Sequence, residues 1–301
     1  MVRGVGMKLF IVGITGVLGR ALLPLLTQRG DSVRTLARRP EQVQSLTLAG
    51  VEAQVGDLLA QETVAQLPAI VQGCDAVLHI ATAIPRNEGA AASHAWDITA
   101  RLRTDGTRAL LQAALASGVQ RYIQQSIVMA YPDSGDQWID ESTPLDSSPT
   151  REAIVGPVRT MEQMVRATTI ERLQWCILRG GAFVGPDTMQ DNQIASLRSG
   201  RLSIACGGNN YLSLVHVADM AMAIVQALDS APAGSTFNIV DDPVRNSDYL
   251  DHLADMLGLP HAARIPTRPC PPSYRCSSEA ARTTLNWTPV EGIWPSMVQL
   301  V

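Results

Sequence analysis

The fold of this chain is decided by residues 9–19, Leu-Phe-Ile-Val-Gly-Ile-Thr-Gly-Val-Leu-Gly. The apolar start, Leu9–Val12, predicts a buried strand, and a leucine-rich helical pattern follows the stretch. Gly13, Gly16 and Gly19 recur at regular spacing between the two. Glycines at these places allow a tight turn, a close approach of the backbone to a pyrophosphate and close packing of helix on strand. Since the helix start also offers free N–H groups to phosphates, the stretch predicts a dinucleotide-binding turn.

Strands and helices alternate after this turn. Further strands are predicted at Ser32–Leu36, Val51–Val55, Asp75–His79, Arg121–Gln125 and Gln174–Leu178. Helices are predicted between them, and the longest covers Trp96–Ser117. Such alternation implies right-handed crossovers and a parallel sheet with both faces covered. The sequence therefore predicts an α/β fold with a doubly wound parallel sheet over residues 7–180, to which later segments contribute returning strands. A smaller α/β substrate-binding cap is predicted over residues 181–301.

The composition excludes several classes of protein. The chain has 301 residues, 46% of them hydrophobic and 17% charged, with a formal net charge of −4, which is an ordinary globular balance. No long run of either charge occurs, so neither a nucleic acid nor an anionic membrane surface is an expected partner. Lys8 is the only lysine in the sequence. A P-loop lysine, a Schiff-base lysine and a Ser-x-x-Lys pair are therefore excluded from the rest of the chain.

Cysteine usage and hydropathy bear on the compartment. Five cysteines are spread along the chain without a Cys-x-x-Cys pair. This pattern predicts buried free thiols in a reducing compartment, although Cys270 and Cys276 flank two prolines and could pair. The histidines lack metal-ligand spacing, so no metal site is predicted. No stretch approaches the ~18 apolar residues that cross a bilayer, and no cleavage site follows the apolar start. The sequence thus predicts a cytoplasmic protein without membrane contact.

The end of the second predicted strand indicates which dinucleotide binds. The segment Thr35-Leu36-Ala37-Arg38-Arg39 carries no acidic residue before Glu41. A carboxylate there would accept the ribose hydroxyls of NAD, whereas an arginine suits the 2′-phosphate of NADP. Arg38 lies at the expected distance from Gly19, and its planar guanidinium fits phosphate. NADP(H) is therefore favoured over NAD(H) as the cofactor, with a solvated surface arginine as the alternative role for Arg38.

Further stretches along nearly the whole chain resemble one family. They are Gly56-Asp57-Leu58, His79-Ile80-Ala81-Thr82-Ala83, Asp105-Gly106-Thr107-Arg108, Leu178–Pro186, Val215–Asp219 and Leu285–Pro289. They are similar to landmarks of the extended and atypical short-chain dehydrogenases/reductases, the NAD-dependent epimerase/dehydratase group, which bind their cofactor on a Rossmann fold. The expected cofactor contacts, from the glycine turn, the second strand and this resemblance together, are Gly13, Thr15, Gly16, Val17, Leu18, Gly19, Arg38, Asp57, Leu58, Ala81, Thr82, Ala83, Ser126 and Phe183. The resemblance also implies a homodimer through the helices at Trp96–Ser117 and Glu152–Thr168.

The usual catalytic pair of that family is missing from this sequence. Typical members carry a Ser or Thr together with Tyr-x-x-x-Lys, in which the lysine lowers the tyrosine pKa and holds the nicotinamide ribose. Counted back from Glu162, the tyrosine and lysine positions fall on Ile154 and Val158. The single lysine of the chain begins the first strand and cannot reach that helix. The standard mechanism is therefore not expected.

Tyr131 is the candidate general acid, with Ser126 sharing the site. Aligned on Tyr131, the family's catalytic hydroxyl falls on Ile127, and Ser126 precedes it. Tyr131 follows the carboxyl end of the fifth strand, where ligands bind in doubly wound sheets. Without a nearby lysine its pKa is expected to stay near ~10. Such a group donates a proton but is a poor base, which favours reduction by NADPH. The alternative is that Tyr131 only walls the pocket.

Two further departures bear on the substrate. Leu212 stands near the place of an arginine that grips the diphosphate in sugar-nucleotide members, and Arg103 replaces a common asparagine. The residues expected to wall the substrate pocket are mostly apolar, and each has ordinary packing as its alternative role. They are Ile84, Trp96, Met129, Tyr131 and Phe183.

Three hypotheses for the function follow. The first is an NADP(H)-dependent oxidoreductase of the atypical short-chain type that acts on a small, largely apolar substrate, such as an activated alkene, imine or quinone. Its proton would come from water or another residue. The second is an NADP(H)-binding regulator or redox sensor without turnover. The third is a nucleotide-sugar epimerase or dehydratase, which the missing lysine disfavours.

Overall fold

The computed structural model describes residues 6–83 and 96–296 of the protein. Its strands are β1 Lys8–Val12, β2 Ser32–Ala37, β3 Glu52–Val55, β4 Ala76–His79, β5 Arg121–Ile127, β6 Trp138–Ile139, β7 Gln174–Gly180, β8 Ala182–Val184, β9 Ser203–Ala205, β10 Tyr211–Leu212, β11 Leu214–His216, β12 Ser235–Ile239, β13 Val244–Arg245, β14 Ala263–Ile265 and β15 Arg275–Cys276. Its α-helices are α1 Val17–Arg29, α2 Pro40–Leu48, α3 Gln61–Val71, α4 Asp97–Arg101, α5 Thr107–Ala116, α6 Glu152–Arg166, α7 Met189–Arg198, α8 Val217–Ser230, α9 Asn246–Met256 and α10 Glu279–Thr284. Within the described residues, no helix has both the length and the apolar character that crossing a bilayer requires.

Seven of these strands form one sheet in the order β12-β7-β5-β4-β1-β2-β3. β1 pairs in parallel with β2 on one side and with β4 on the other, and β2–β3 and β4–β5 are also parallel. The chain thus winds outward in one direction to β3 and in the other from β4, with the switch point at β1. The doubly wound parallel sheet predicted from the sequence is confirmed. Ligands of such sheets bind beyond the carboxyl ends of the strands at the switch point, where the glycine turn follows β1.

The described residues divide into two compact units. The first comprises residues 6–83, 96–126, 147–178 and 224–236, and the second comprises residues 127–146, 179–223 and 237–296. In the first unit, apolar side chains of the sheet pack against α3 and α5; Phe10, Leu67, Leu110 and Tyr122 are among those fully buried. A side chain of this size contributes about 1.5–3 kcal/mol when it leaves water. This core holds the carboxyl ends of β1, β4 and β5 in fixed register.

The helix predicted over Trp96–Ser117 contains one turn that is not α-helical. A π-helical turn, Leu102–Gly106, joins α4 to α5. Single π turns inside helices are rare and often occur at functional sites, because the wider turn redirects one side chain. Here Thr99, Arg103 and Thr107 are all buried, at about one-turn intervals. The chain is therefore helical throughout residues 97–116, close to the predicted range, and the hydrophobic spacing gave no sign of the residue inserted at the π turn.

The second unit contains short strand pairs together with helices α7, α9 and α10 and the first part of α8. β8 pairs in parallel with β11, and β9 with β14, while β10 and β13 pair antiparallel. Ile194 of α7, Leu253 of α9 and Leu214 of β11 belong to its apolar core. The prolines of residues 260–272 predict an extended connector, and within it Ala263–Ile265 forms a short strand, β14.

The cysteines do not all behave as expected. Cys74, Cys176 and Cys276 are free and buried, as the sequence predicted. Cys206 and Cys270 form a disulfide, so the expectation of free thiols is wrong for these two, as is a pairing of Cys270 with Cys276. The partners are 64 residues apart and meet because β9 and β14 lie side by side. Spacing alone could not show this contact.

Asp219, in the first turn of α8, ties the end of the chain to that helix. Its backbone carbonyl accepts a hydrogen bond of 2.9 Å from the indole N–H of Trp287. Its carboxylate accepts the backbone N–H of Val290 at 2.9 Å and that of Glu291 at 3.2 Å. Asp219 and Trp287 are both buried. The two family landmarks that contain these residues therefore contact each other and stabilise the fold.

Candidate functional site

The glycine turn between β1 and α1 is packed tightly on its inner side. Gly13 has a φ of +107°, and a Cβ on it would lie 2.7 Å from the backbone nitrogen of Ala81. A Cβ on Gly19 would overlap the backbone of Ile14. Gly13 is therefore required by its backbone angle and its neighbour, and Gly19 by close packing of α1 on the turn.

Gly16 has a different environment from the other two glycines. Its backbone is extended, with φ −75° and ψ 176°, a conformation open to any residue. Among the described residues, the atom nearest an added Cβ is the carbonyl oxygen of Gly13, at 3.2 Å. Thr15 and Gly16 are both exposed. Gly16 therefore leaves the outer side of the turn open to a ligand.

Helix α1 begins with unsatisfied donors at this turn. Gly16 provides no side-chain cap, and no acidic residue lies in the first turn. The first helical hydrogen bond runs from Arg20 N–H to the carbonyl of Gly16, at 2.9 Å. The N–H groups of Val17, Leu18 and Gly19 consequently have no partner within the helix. Three free donors at the positive end of the helix dipole suit a phosphate group.

The segment after β4 lies against the glycine turn. The N–H of Ile80 donates to the carbonyl of Val12 at 3.0 Å and holds this segment beside the end of β1. The N–H of Ala83 donates to Thr99 Oγ1 at 3.1 Å, which connects the segment to α4. Ala81–Ala83 are half-buried or exposed. The structure thus brings these expected cofactor contacts next to the glycine turn.

Arg38 is the residue that directly follows β2. Its side chain is exposed, and no described residue forms a hydrogen bond or ion pair with it. Arg39, in contrast, precedes α2 and places Nε 3.3 Å from Glu41 Oε1. Of the two adjacent arginines, Arg38 is therefore the one whose guanidinium is available to an added phosphate.

Asp57 and Leu58 lie beside Arg38 at the end of the neighbouring strand. The N–H of Gly56 donates to the carbonyl of Ala37 at 3.0 Å, so the turn after β3 is held against the end of β2. The Asp57 carboxylate accepts the N–H of Leu59 at 2.9 Å and is exposed, while the Leu58 side chain is buried. These residues form the outer end of the candidate site, on the β2–β3 side of the switch point.

Ser126 is buried and bonded to a carboxylate. Its hydroxyl donates to Glu162 Oε1 at 2.7 Å, which links β5 to α6. Arg166, one turn further along α6, places Nη2 3.5 Å from Glu162 Oε2. A buried carboxylate needs such partners, because removing one would leave its charge uncompensated. The part of Ser126 in cofactor binding and catalysis stays a prediction, and the bond to Glu162 is its observed role.

The α6 positions counted for the missing pair carry two aliphatic side chains. Ile154 is 40% exposed, and Val158 is fully buried. Neither side chain can carry a charge or move a proton. These two positions therefore supply neither a cation nor an acid.

Tyr131 lies in the second unit and is fully buried. Its hydroxyl donates to Asn238 Oδ1 at 2.9 Å and accepts a hydrogen bond from Arg179 Nη1 at 2.5 Å. Burial raises the Tyr131 pKa above its ordinary value, although the charge of Arg179 opposes the rise. The expectation of an ordinary pKa is therefore wrong. A hydroxyl bound on both sides inside the protein suits packing better than proton delivery.

The residues expected to wall the substrate pocket are distributed over the chain. Phe183, in β8, is half-buried, and Met129 is partly exposed; both belong to the second unit. Trp96 precedes α4 in the first unit. Ile84 lies outside the described residues. The grouping of these side chains around one substrate stays a prediction.

His79 is a buried polar residue that the sequence did not single out as functional. It ends β4, and its Nδ1 lies 3.1 Å from Thr107 Oγ1 and 3.2 Å from Gln124 Oε1. Burial lowers the His79 pKa to about 4; the hydrogen bond to Gln124 Oε1 opposes this shift, and the Arg103 charge adds to it. Its Nε2 has no hydrogen-bond partner among the described residues. A polar residue ending an apolar strand was the signal that could have revealed this cluster.

The fold and this turn define a dinucleotide-binding protein of the Rossmann type. The profile of the NAD dependent epimerase/dehydratase family matches residues 9–240, and the chain belongs to that family. The resemblance inferred from its motifs is thereby confirmed.

Relatives of the chain include two reductases. The chain is 29% identical over 305 residues to a 3-diazoavenalumate denitrifying reductase of a Streptomyces species, covering 96% of this chain and 98% of the relative. It is 28% identical to a 4-hydroxy-2-methyl-3-oxo-4-farnesyl-3,4-dihydroquinoline-1-oxide ketoreductase of Stigmatella aurantiaca, covering 84% and 74% of the two chains.

Two solved structures share the fold. A short-chain dehydrogenase/reductase superfamily protein from Agrobacterium tumefaciens with bound NAD superposes with a TM-score of 0.75 at 25% identity, covering 97% of this chain and 94% of the other. The dTDP-glucose 4,6-dehydratase of Streptomyces venezuelae superposes with a TM-score of 0.79 at 21% identity, covering 94% and 92%. At that identity the dehydratase supports the fold alone.

Proposed function

We propose that the protein is an NADP(H)-dependent reductase that acts on a small, largely apolar electrophile. The observation that carries the choice of cofactor is Arg38, which is exposed, directly follows β2 and has no partner among the described residues. The neighbouring Asp57 carboxylate accepts a backbone N–H from its own turn. A guanidinium at this place fits the 2′-phosphate that distinguishes NADP from NAD.

The residues of the first unit fit a dinucleotide along its length. The free N–H groups at the start of α1 suit the pyrophosphate, and Gly16 leaves room for it. The β2–β3 side of the switch point, with Arg38 and Asp57, suits the adenosine half. The β4 side, with Ala81–Ala83, then takes the nicotinamide half.

In the proposed reduction the bound cofactor would supply the hydride, and the residues of the chain would bind and orient the reactants. The side chains of Ile154 and Val158 supply no acid or cation, and the Tyr131 and Ser126 hydroxyls are both engaged inside the protein. Water is therefore the proposed proton donor. Substrates that need little help from an acid fit such a site, as activated alkenes, imines, quinones and diazo compounds do. The two reductases among the relatives support the reductive direction.

A second candidate is an NADP(H)-binding regulator without turnover. The hydrogen bonds of the Tyr131 and Ser126 hydroxyls favour this candidate, because they leave no free side-chain acid among the residues predicted for catalysis. Sugar-nucleotide chemistry is not proposed, since Leu212 occupies the position of the arginine that would bind the diphosphate.

Two measurements separate these candidates. Calorimetry with NADPH and NADH tests cofactor binding, and we expect the protein to bind NADPH more tightly. The protein is then incubated with NADPH deuterated at the transferring position and with a panel of quinones, imines, activated alkenes and diazo compounds. Deuterium in a product, detected by mass spectrometry, supports the reductase. Tight NADPH binding without transfer to any of the panel supports the regulator, and tighter binding of NADH contradicts both.

A homodimer through α4, α5 and α6 is part of the proposal. Ile98 of α4 and Ile154 of α6 are both large apolar side chains that are more than one-third exposed in the single chain. Exposed apolar residues on these helices suit contact with a second copy. Sedimentation of the parent protein and of Ile98→Glu tests this assembly, and a parent that sediments as a monomer contradicts it.

A further inference from the structure

Arg103 is a buried cation that has no counter-charge among the described residues. Its side chain is only 6% exposed, and burial lowers its pKa to about 10. No described residue forms a hydrogen bond or ion pair with its guanidinium. Buried guanidinium groups normally bind carboxylates or carbonyl groups, because desolvating an unpaired charge is costly. The other arginine of this segment, Arg101, is exposed and lies 3.7 Å from the Asp105 carboxylate.

The position of Arg103 in the first unit is fixed by its neighbours on the same helical segment. Thr99, one turn before it, accepts the N–H of Ala83 beyond the carboxyl end of β4. Thr107, one turn after it, contacts His79, the last residue of β4. Arg103 therefore stands over the carboxyl end of β4, and its charge is close enough to lower the His79 pKa.

The carboxyl end of β4, where Arg103 lies, is on the side of the sheet that takes the nicotinamide half of the dinucleotide. The adenosine half lies on the β2–β3 side of the switch point in the proposed function, on which this inference rests. The nicotinamide half then extends over β4, on the side where Arg103 stands. The π turn that carries Arg103 also packs against α6, the helix on which Val158 occupies the position counted for the lysine.

We propose that Arg103 holds the nicotinamide half of the bound dinucleotide, through its ribose hydroxyls and adjoining phosphate, from the π turn. It thereby supplies the positive charge that Val158 cannot supply at the position counted for the lysine. A guanidinium offers several donors in a fixed plane, which suits a phosphate or a pair of hydroxyl groups. Arg103 is a binding and positioning residue in this role, and it transfers no proton.

The test compares the two halves of the cofactor by calorimetry. In Arg103→Met, which keeps a long side chain without the charge, NADPH should bind about 10- to 100-fold more weakly, as expected for loss of a charge-assisted contact. Binding of 2′,5′-ADP, which lacks the nicotinamide half, should not change. Arg103→Lys should recover part of the NADPH affinity. Arg101→Met, the matched control, should bind both ligands as the parent does.

The melting temperature of the protein without cofactor provides a second test, because it shows whether Arg103 stabilises the fold. Arg103→Met should melt at the same temperature as the parent or higher, because it removes an unpaired buried charge. The inference is overturned if Arg103→Met binds NADPH as tightly as the parent, or if it weakens 2′,5′-ADP equally. A lower melting temperature with unchanged binding also overturns it. A parent protein that binds neither NADPH nor NADH contradicts the proposed function itself.

Discussion

Arg38 offers a direct test of the cofactor assignment, because its neighbour provides a matched control. Arg38→Ala removes an exposed guanidinium that has no partner among the described residues, so the substitution should leave the stability of the protein unchanged. A hydrogen bond to a charged group contributes about 1.5–3 kcal/mol, which corresponds to roughly 10- to 150-fold in affinity. Since water screens an exposed contact, the loss of NADPH affinity should lie near the lower end, about 10- to 30-fold. NADH affinity should change less than about twofold.

The assay is calorimetric titration of both cofactors into the parent, Arg38→Ala and Arg39→Ala. Arg39 carries the same charge one residue further on and is paired with Glu41, so its removal should affect both cofactors little. Higher salt should narrow the difference between NADPH and NADH in the parent, because the contact is exposed. Equal losses of NADPH and NADH affinity in Arg38→Ala, or equal effects of the two substitutions, would refute the assignment.

Three further predictions concern single residues. Gly16→Val should fold, since its backbone is extended, but should lose NADPH binding; Gly19→Ala should instead lower stability by about 1–3 kcal/mol, because its Cβ overlaps Ile14. Circular dichroism and calorimetry distinguish the two, and normal NADPH binding by Gly16→Val would contradict the phosphate site. Tyr131→Phe should lower the free energy of unfolding by about 1–3 kcal/mol, because two buried partners lose a hydrogen bond, while hydride transfer changes only a few-fold; a ~10²–10⁴-fold slower single turnover would instead identify Tyr131 as the general acid. The His79 pKa is lowered to about 4 in the folded protein from 6.5, so the stability that neutral His79 contributes is present above pH 6.5 and is lost as the pH falls toward 4. Chemical denaturation should show that the free energy of unfolding of the parent falls by up to roughly 3 kcal/mol over this range, and that His79→Gln lacks this fall. A variant with the same pH profile as the parent would contradict the prediction.

The parts of the fold that depend on short-range signals could be predicted from the sequence. The turn at Gly13–Gly19 and the end of β2 at Arg38 each combine a local pattern with the residue types that the geometry requires. The parallel sheet followed from the same kind of pattern, because strands and helices of suitable length alternate. Such features are determined within about thirty residues of chain, the length of a strand–helix–strand unit.

The features that sequence reasoning missed depend on contacts between distant residues. The expectation of an ordinary pKa for Tyr131 was wrong because Arg179 and Asn238, which are 48 and 107 residues away, bond to its hydroxyl in the protein interior. The Cys206–Cys270 disulfide likewise depends on two strands that meet only in the folded second unit. Arg103 stood out as a departure from its family, but only the structure shows that it is buried and has no charged partner among the described residues. A sequence pattern shows residue types and their spacing, but it does not show which distant residues contact each other in the folded protein.

The hydrogen bonds that Asp219 accepts cannot form until the residues that donate them have been synthesised. Its carboxylate is completed by the N–H groups of Val290 and Glu291, which are 71 and 72 residues further on. At about 5–20 residues per second, these partners leave the ribosome roughly 4–15 s after Asp219 does. During that interval the start of α8 carries a hydrated carboxylate. A nascent chain stalled before Trp287 would remain in this state, open to chaperones and proteases, however complete its glycine turn and β1–β5 are.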